Sequence, residues 1–155
     1  MLEKHDNEYF YFVESFSNYD GDSVNIIVSR TWDFGFEEKV IKRSPIKVRL
    51  YGVDTPELRG GTDVSKAAAR LAKDFVSNWL QEVFDQNALF FESWEYKKGK
   101  FGRALGDFYN SITEERLSHS LLTQHLAVYY FGLSKDDIQL NHESNFELLK
   151  KEGLI

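Results

Sequence analysis

The sequence predicts an α+β fold in which strands come first and helices are added after them. Three observations predict it. The first half is rich in aromatic and β-branched residues with stretches of two-residue alternation. The period then switches to a helical one. A second pair of strand patterns is followed by two further helical stretches. A length of 155 residues suffices to bury a sizeable core, and no Pro/Gly/Ser-rich linker or internal repeat divides it, so a single domain over 1–155 is expected.

The elements follow in order. Tyr9 to Phe16 and Val24 to Ser29 read as strands from their aromatic and β-branched content. Val28 to Ile46 carries Gly35, three aromatics (Trp32, Phe34, Phe36) and many charges, and reads as a long irregular hairpin connection. Lys47 to Val53 alternates, with Lys47, Arg49 and Tyr51 on one face and Val48 and Leu50 on the other. Val64, Ala68, Leu71, Phe75 and Trp79 then make a helical stripe that Thr62 or Asp63 would cap. Ala88 to Trp94 and Arg103 to Tyr109 return to strand character around a charged turn. Helices are predicted over Thr113 to Ala127 and over Asn141 to Glu152, the latter stopped by Gly153. Three strands, a helix, two strands and two helices is the order of a five-stranded Greek-key β-barrel of the OB type with about three packed α-helices. Residues 1–8, four of them charged, are expected to form a flexible polar N-terminus.

Composition narrows the chemistry. No cysteine is present, which excludes disulfides, a thiolate nucleophile and cysteine-bound zinc. No apolar stretch would span a bilayer and no secretory signal pattern opens the chain, so a cytoplasmic location is expected, or secretion if the chain is a processed form. The net charge of −6 opposes a simple nucleic-acid binder, yet the basic residues cluster. Five fall between Lys39 and Arg49, and Lys97, Lys98, Lys100 and Arg103 form a second group.

Each candidate motif has a structural alternative. Asp20-Gly21-Asp22-Ser23 is a turn signal between two strands, and Asp22 is also a candidate metal ligand. Asp54-Thr55-Pro56-Glu57 resembles a helix capping box, or else places Asp54 at a strand end beside Asp22, where a divalent cation would relieve the repulsion. Hard oxygen ligands without a nearby histidine favour calcium or magnesium over zinc. Arg49 and Arg103 could each grip phosphate oxygens. The four histidines are expected to be structural or superficial, because none has zinc-site spacing.

Asp-Gly-Asp-Ser, Val-Arg-Leu-Tyr-Gly-Val-Asp-Thr-Pro-Glu (48–57) and Lys-Phe-Gly-Arg (100–103), in this order, resemble the staphylococcal (micrococcal) nuclease, or thermonuclease-like, family from about Tyr9 onward. The resemblance implies calcium-dependent hydrolysis of DNA and RNA, cleaving the bond to the 5′ oxygen and leaving 3′-phosphate ends. It implies that Asp22 and Asp54 ligate Ca²⁺ through carboxylates and Thr55 through its main-chain carbonyl, with Mg²⁺ or another divalent cation as the alternative. Glu57 would be the general base, and Arg49 and Arg103 would hold the scissile phosphate. Lys100, Tyr129 and Tyr130 are candidate substrate contacts. DNA or RNA is the expected partner, with no membrane association and a monomeric state. The sequence departs from the family in its longer connection between Asp22 and Arg49, a short Leu58–Asp63 segment, Phe101 where a tyrosine is usual, and its acidic net charge. The rival readings are a non-catalytic binding module of the same fold and an acidic interaction domain for a basic partner.

Overall fold

A computed structural model describes residues 10–18, 20–94 and 102–155. The predicted N-terminal tail, Lys100 and Phe101 lie outside the described residues. Five strands close on themselves in the order β1-β2-β3-β6-β5. They are β1 (Phe10–Asn18), β2 (Ser23–Gly35), β3 (Glu38–Leu50), β5 (Leu89–Ser93) and β6 (Ala104–Asn110). All neighbours are antiparallel except β3 and β6, which run parallel with Val48 beside Ala104 and Leu50 beside Gly106. Two short strands, β4 (Val53–Asp54) and β7 (Val128–Tyr129), pair separately. The helices are α1 (Asp63–Asp85), α2 (Leu117–Thr123) and α3 (Lys135–Lys151). The predicted α+β class and OB-type arrangement hold.

The interior is filled by the inward residues of the strands (Val13, Val24, Ile26, Val48, Leu50, Phe91 and Phe108) and by the apolar face of α1, centred on Ala72, Val76 and Leu80. Burying each large side chain of this kind stabilises by about 1.5–3 kcal/mol. Thr62 caps α1 in a reciprocal box with Ser65. No helix begins at Asp54, so the capping-box reading of Asp54–Glu57 is not realised, and residues 55–62 form an irregular connection. The second helix is shorter than predicted, and the third starts earlier, capped by Ser134. Among the described residues no helix is long and apolar enough to cross a membrane.

The largest difference from expectation is the stretch from Val28 to Ile46. It is regular structure, not an irregular connection. β2 and β3 pair without interruption from Ser23↔Arg49 to Asp33↔Lys39 and, after a register shift at Phe34, at Gly35↔Glu38, joined by Phe36 and Glu37, which both adopt positive φ. That conformation is the one a tight two-residue hairpin needs, since its twist matches the strands. The far half of this ribbon projects beyond the closed ring, leaving Trp32, Phe34 and Phe36 at 43%, 66% and 98% exposure.

Candidate active site

The near end of the same hairpin builds the site. Because Ser23 pairs with Arg49, Asp22 falls beside Leu50, whose N–H donates to the Asp22 carbonyl (2.9 Å). The chain then turns at Gly52, where φ is +82° and an added Cβ would sit 2.7 Å from the Phe131 ring, and it re-enters as β4. The turn brings Asp54 back towards Asp22. Gly21 serves a second close approach: a Cβ there would meet the Thr55 methyl at 2.9 Å. Asp22 and Thr55 can therefore bond directly, with Thr55 N–H donating to Asp22 Oδ2 (3.1 Å).

Arg49 joins the two acids. Its guanidinium donates to the Leu50 and Val53 carbonyls (3.0 and 2.8 Å). The same group lies 3.4 Å from Asp22 Oδ2 and 3.3 Å from Asp54 Oδ1. A planar fork can satisfy these acceptors together, where a single ammonium could not. The Tyr130 ring packs against this guanidinium, 5.5 Å from its centroid. Ser23 Oγ donates to Asp22 Oδ1 (3.2 Å).

Glu57 is exposed, and with Arg103 it lines a cleft of about 270 Å³ that also contains Asp20, Asp22, Arg49, Asp54 and Thr55. Arg103 reaches this cleft because it immediately precedes β6, which runs alongside β3. The structure thus brings together Asp22, Arg49, Asp54, Thr55, Glu57 and Arg103, with Tyr130 at the edge. Tyr129 is 62% exposed on β7, next to this group in sequence but absent from the cleft lining. Lys100 lies outside the described residues.

Two residues here were missed by sequence reasoning. His142, on α3, is buried, and its Nε2 lies 2.8 Å from Asp54 Oδ2. The histidine expected to be structural or superficial is therefore a direct partner of a site carboxylate. Nothing local signals this, because the two residues are 88 positions apart. Asp20 was visible in the Asp-Gly-Asp motif but given no role. Its carboxyl is pushed above the ordinary range, first by burial and then by the negative charge of Asp22.

A hard divalent cation fits this donor set. Two carboxylates, Asp22 and Asp54, line one cleft with Thr55, whose Oγ1 is buried without a hydrogen-bond partner. Among the described residues no three His, Cys, Asp or Glu side chains gather closely enough to hold an ion by themselves. A bound ion would therefore keep much of its water, as Mg²⁺ and Ca²⁺ commonly do on oxygen ligands.

One comparison with known proteins bears on the fold. The family model described as staphylococcal nuclease homologue matches residues 47–153, more than half of the chain. The chain belongs to the staphylococcal nuclease homologue family, a family of nuclease and nucleic-acid-binding domains. The matched segment contains Arg49, Asp54, Thr55, Glu57 and Arg103, whereas Asp22 precedes it and joins the site through the β2–β3 register. No match was found among curated proteins.

Proposed function

We propose that this protein is a calcium-dependent nuclease that hydrolyses phosphodiester bonds of DNA or RNA at the P–O5′ bond and leaves 3′-phosphate ends. The observation that carries the proposal is the Arg49 fork spanning Asp22 and Asp54 in a cleft that Glu57 and Arg103 also line. Asp22 and Asp54 would hold the ion through carboxylate oxygens, and Thr55 through its carbonyl. Bound there, the cation supplies Lewis-acid stabilisation of charge growing on the phosphoryl oxygens.

The chain's own residues supply the rest. Glu57 takes a proton from the attacking water as the new O–P bond forms. Arg49 and Arg103 donate to the non-bridging oxygens, whose charge rises towards the transition state, so their grip is stronger there than in the ground state. The P–O5′ bond breaks, and the departing 5′ oxygen takes its proton from solvent, since a guanidinium releases protons too reluctantly to act as the acid.

One observation favours a second reading, a non-catalytic nucleic-acid-binding module. Every carboxylate oxygen of Asp22 and Asp54 already has a protein partner, namely Ser23, Thr55, Arg49 or His142. Arg49 could then serve as a permanent internal counter-ion. Incubation with plasmid and single-stranded DNA in Ca²⁺, Mg²⁺ or EDTA separates the readings. The nuclease degrades DNA in calcium and is silenced by EDTA. Intact DNA under every metal condition would leave the binding module.

A further inference from the structure

The outward face of β3 carries a row of cations that starts inside the candidate site. Residues at every second position share one face of a strand, and the pairing of β2 with β3 is uninterrupted from Arg49 to Lys39. That face therefore reads Arg49, Lys47, Pro45, Arg43, Ile41, Lys39, four cations in six positions with no acid among them. At about 3.3 Å per residue the row runs roughly 30 Å. Across it on β2 stand Ser23, Asn25, Ile27, Ser29, Thr31 and Asp33, a single acid at the far end. Glu14 also approaches Arg43 (3.6 Å), at the margin of the face.

The surface along the first part of this row is grooved. A cleft of about 490 Å³ shares Asp20, Ser23, Glu57 and Arg103 with the site and continues to Asn25 and Lys47. A second cleft of about 600 Å³ takes over at Asn25 and Lys47 and reaches Ile27 and Pro45. The path out of the site on the other side, towards α3, sets Glu143 and Glu147 against Lys135 and Lys150 and has no such single sign. The opposite face of the ribbon, with Trp32 and Phe34, continues into the buried core at Val28 and Ile26 and does not lead to the site.

We infer that the outward face of β3, from Arg49 to Lys39, is a track for one strand of single-stranded nucleic acid extending out of the active-site cleft. The strand is a polyanion, and the row supplies cations at intervals on a chain whose net charge is −6. Single-stranded rather than duplex substrate fits because Ile41, Pro45 and Ile27 stand exposed between the cations, and only a strand with unpaired bases offers apolar surface to cover them. The inference rests on the nuclease reading only for what the strand is delivered to.

Fluorescence anisotropy with a labelled 20-nucleotide single-stranded DNA, in EDTA so that nothing is cut, tests the track. Lys39→Ala/Arg43→Ala should weaken binding at least tenfold at low salt. It should also flatten the slope of log K against log salt by about 1.4, at ~0.7 per lost phosphate contact. Lys42→Ala, on the opposite face of the same strand, should leave both unchanged, and a duplex of the same length should bind more weakly than the single strand. Unchanged affinity and slope in the double variant, an equal loss from Lys42→Ala, or tighter binding of the duplex would each overturn the inference. Cleavage of a dinucleotide in Ca²⁺ should be the same in the double variant and the wild type, and a matching loss there would mean the substitutions act on the site and not on a track. If the wild type binds the oligonucleotide as described but cuts nothing in Ca²⁺, the track stands and the nuclease reading falls.

Discussion

Arg49 is the residue on which the site is organised. It binds two main-chain carbonyls of the turn that returns Asp54 to the site, and it spans both aspartates. Arg49→Ala should reduce turnover by about 10²–10³, the usual loss of a group that stabilises transition-state charge. Arg49→Lys should recover little, because one ammonium cannot reproduce the fork. Glu57 is exposed and bound to no other site residue by a described contact, so Glu57→Ala should leave the melting temperature unchanged while costing about 10²–10⁴ in kcat. Wild-type turnover in both alanine variants would remove these assignments. His142 orients Asp54 from the side away from Arg49. His142→Leu should lower calcium affinity by about 10–100-fold in a calorimetric titration, as loss of a partner behind a metal ligand generally does. His142→Gln, which keeps a donor near the Nε2 position, should restore most of it, and a leucine variant with unchanged affinity would show the contact to be incidental.

At the scale of elements, β6 and α2 are joined by a buried acid. Asp107 accepts from the Ser118 and Phe108 N–H groups (3.1 and 2.9 Å) and from the Ser118 hydroxyl, and so caps α2 from a neighbouring strand. Burial pushes its carboxyl up to about 6, against the partial relief of those bonds. A raised carboxylate binds its proton more tightly in the folded state than in the unfolded one. Its stabilising contribution is therefore complete below the ordinary value near 3.8 and is lost as pH rises through about 6. The rise is worth on the order of 3 kcal/mol. Urea unfolding at pH 4 and pH 7 should show Asp107→Asn gaining on the wild type by up to that amount as pH rises, and an equal difference at both pH values would contradict it.

β5 and α1 were readable because each has one buried face, which writes its period into the sequence, β5 in a short alternating run and α1 in Ala68, Ala72 and Trp79, whereas β6 is buried on both faces and reads only as a short apolar run. The outer half of the β2–β3 ribbon was misread because it has no buried face. Charges occur on both sides of it, Trp32 and Phe34 share the face opposite Lys39 and Arg43, and its turn uses Phe36-Glu37 and not Asn-Gly. β4 and β7 are two residues each, too short to carry a pattern. The convergence of Asp22 with Asp54 was legible from motifs, because strand register and a glycine turn fix it. His142 and Asp107 were not, because their roles depend on which distant element packs against them.

For the molecule as a whole, charge distribution matters more than the net value of −6. The acidic balance lowers nonspecific attraction to polyanions, while the site and the outward face of β3 concentrate the cations that a substrate phosphate would meet. Fold, family and cleft meet in one claim, that Asp22, Arg49, Asp54, Glu57 and Arg103 act together on a phosphodiester with a divalent cation. Mass spectrometry of the fragments from a defined single-stranded oligonucleotide, digested in Ca²⁺ and in EDTA, tests this most directly. Fragments ending in 3′-phosphate in calcium and intact oligonucleotide in EDTA are the expected result. Fragments ending in 3′-hydroxyl, or the same digestion in EDTA, would contradict it.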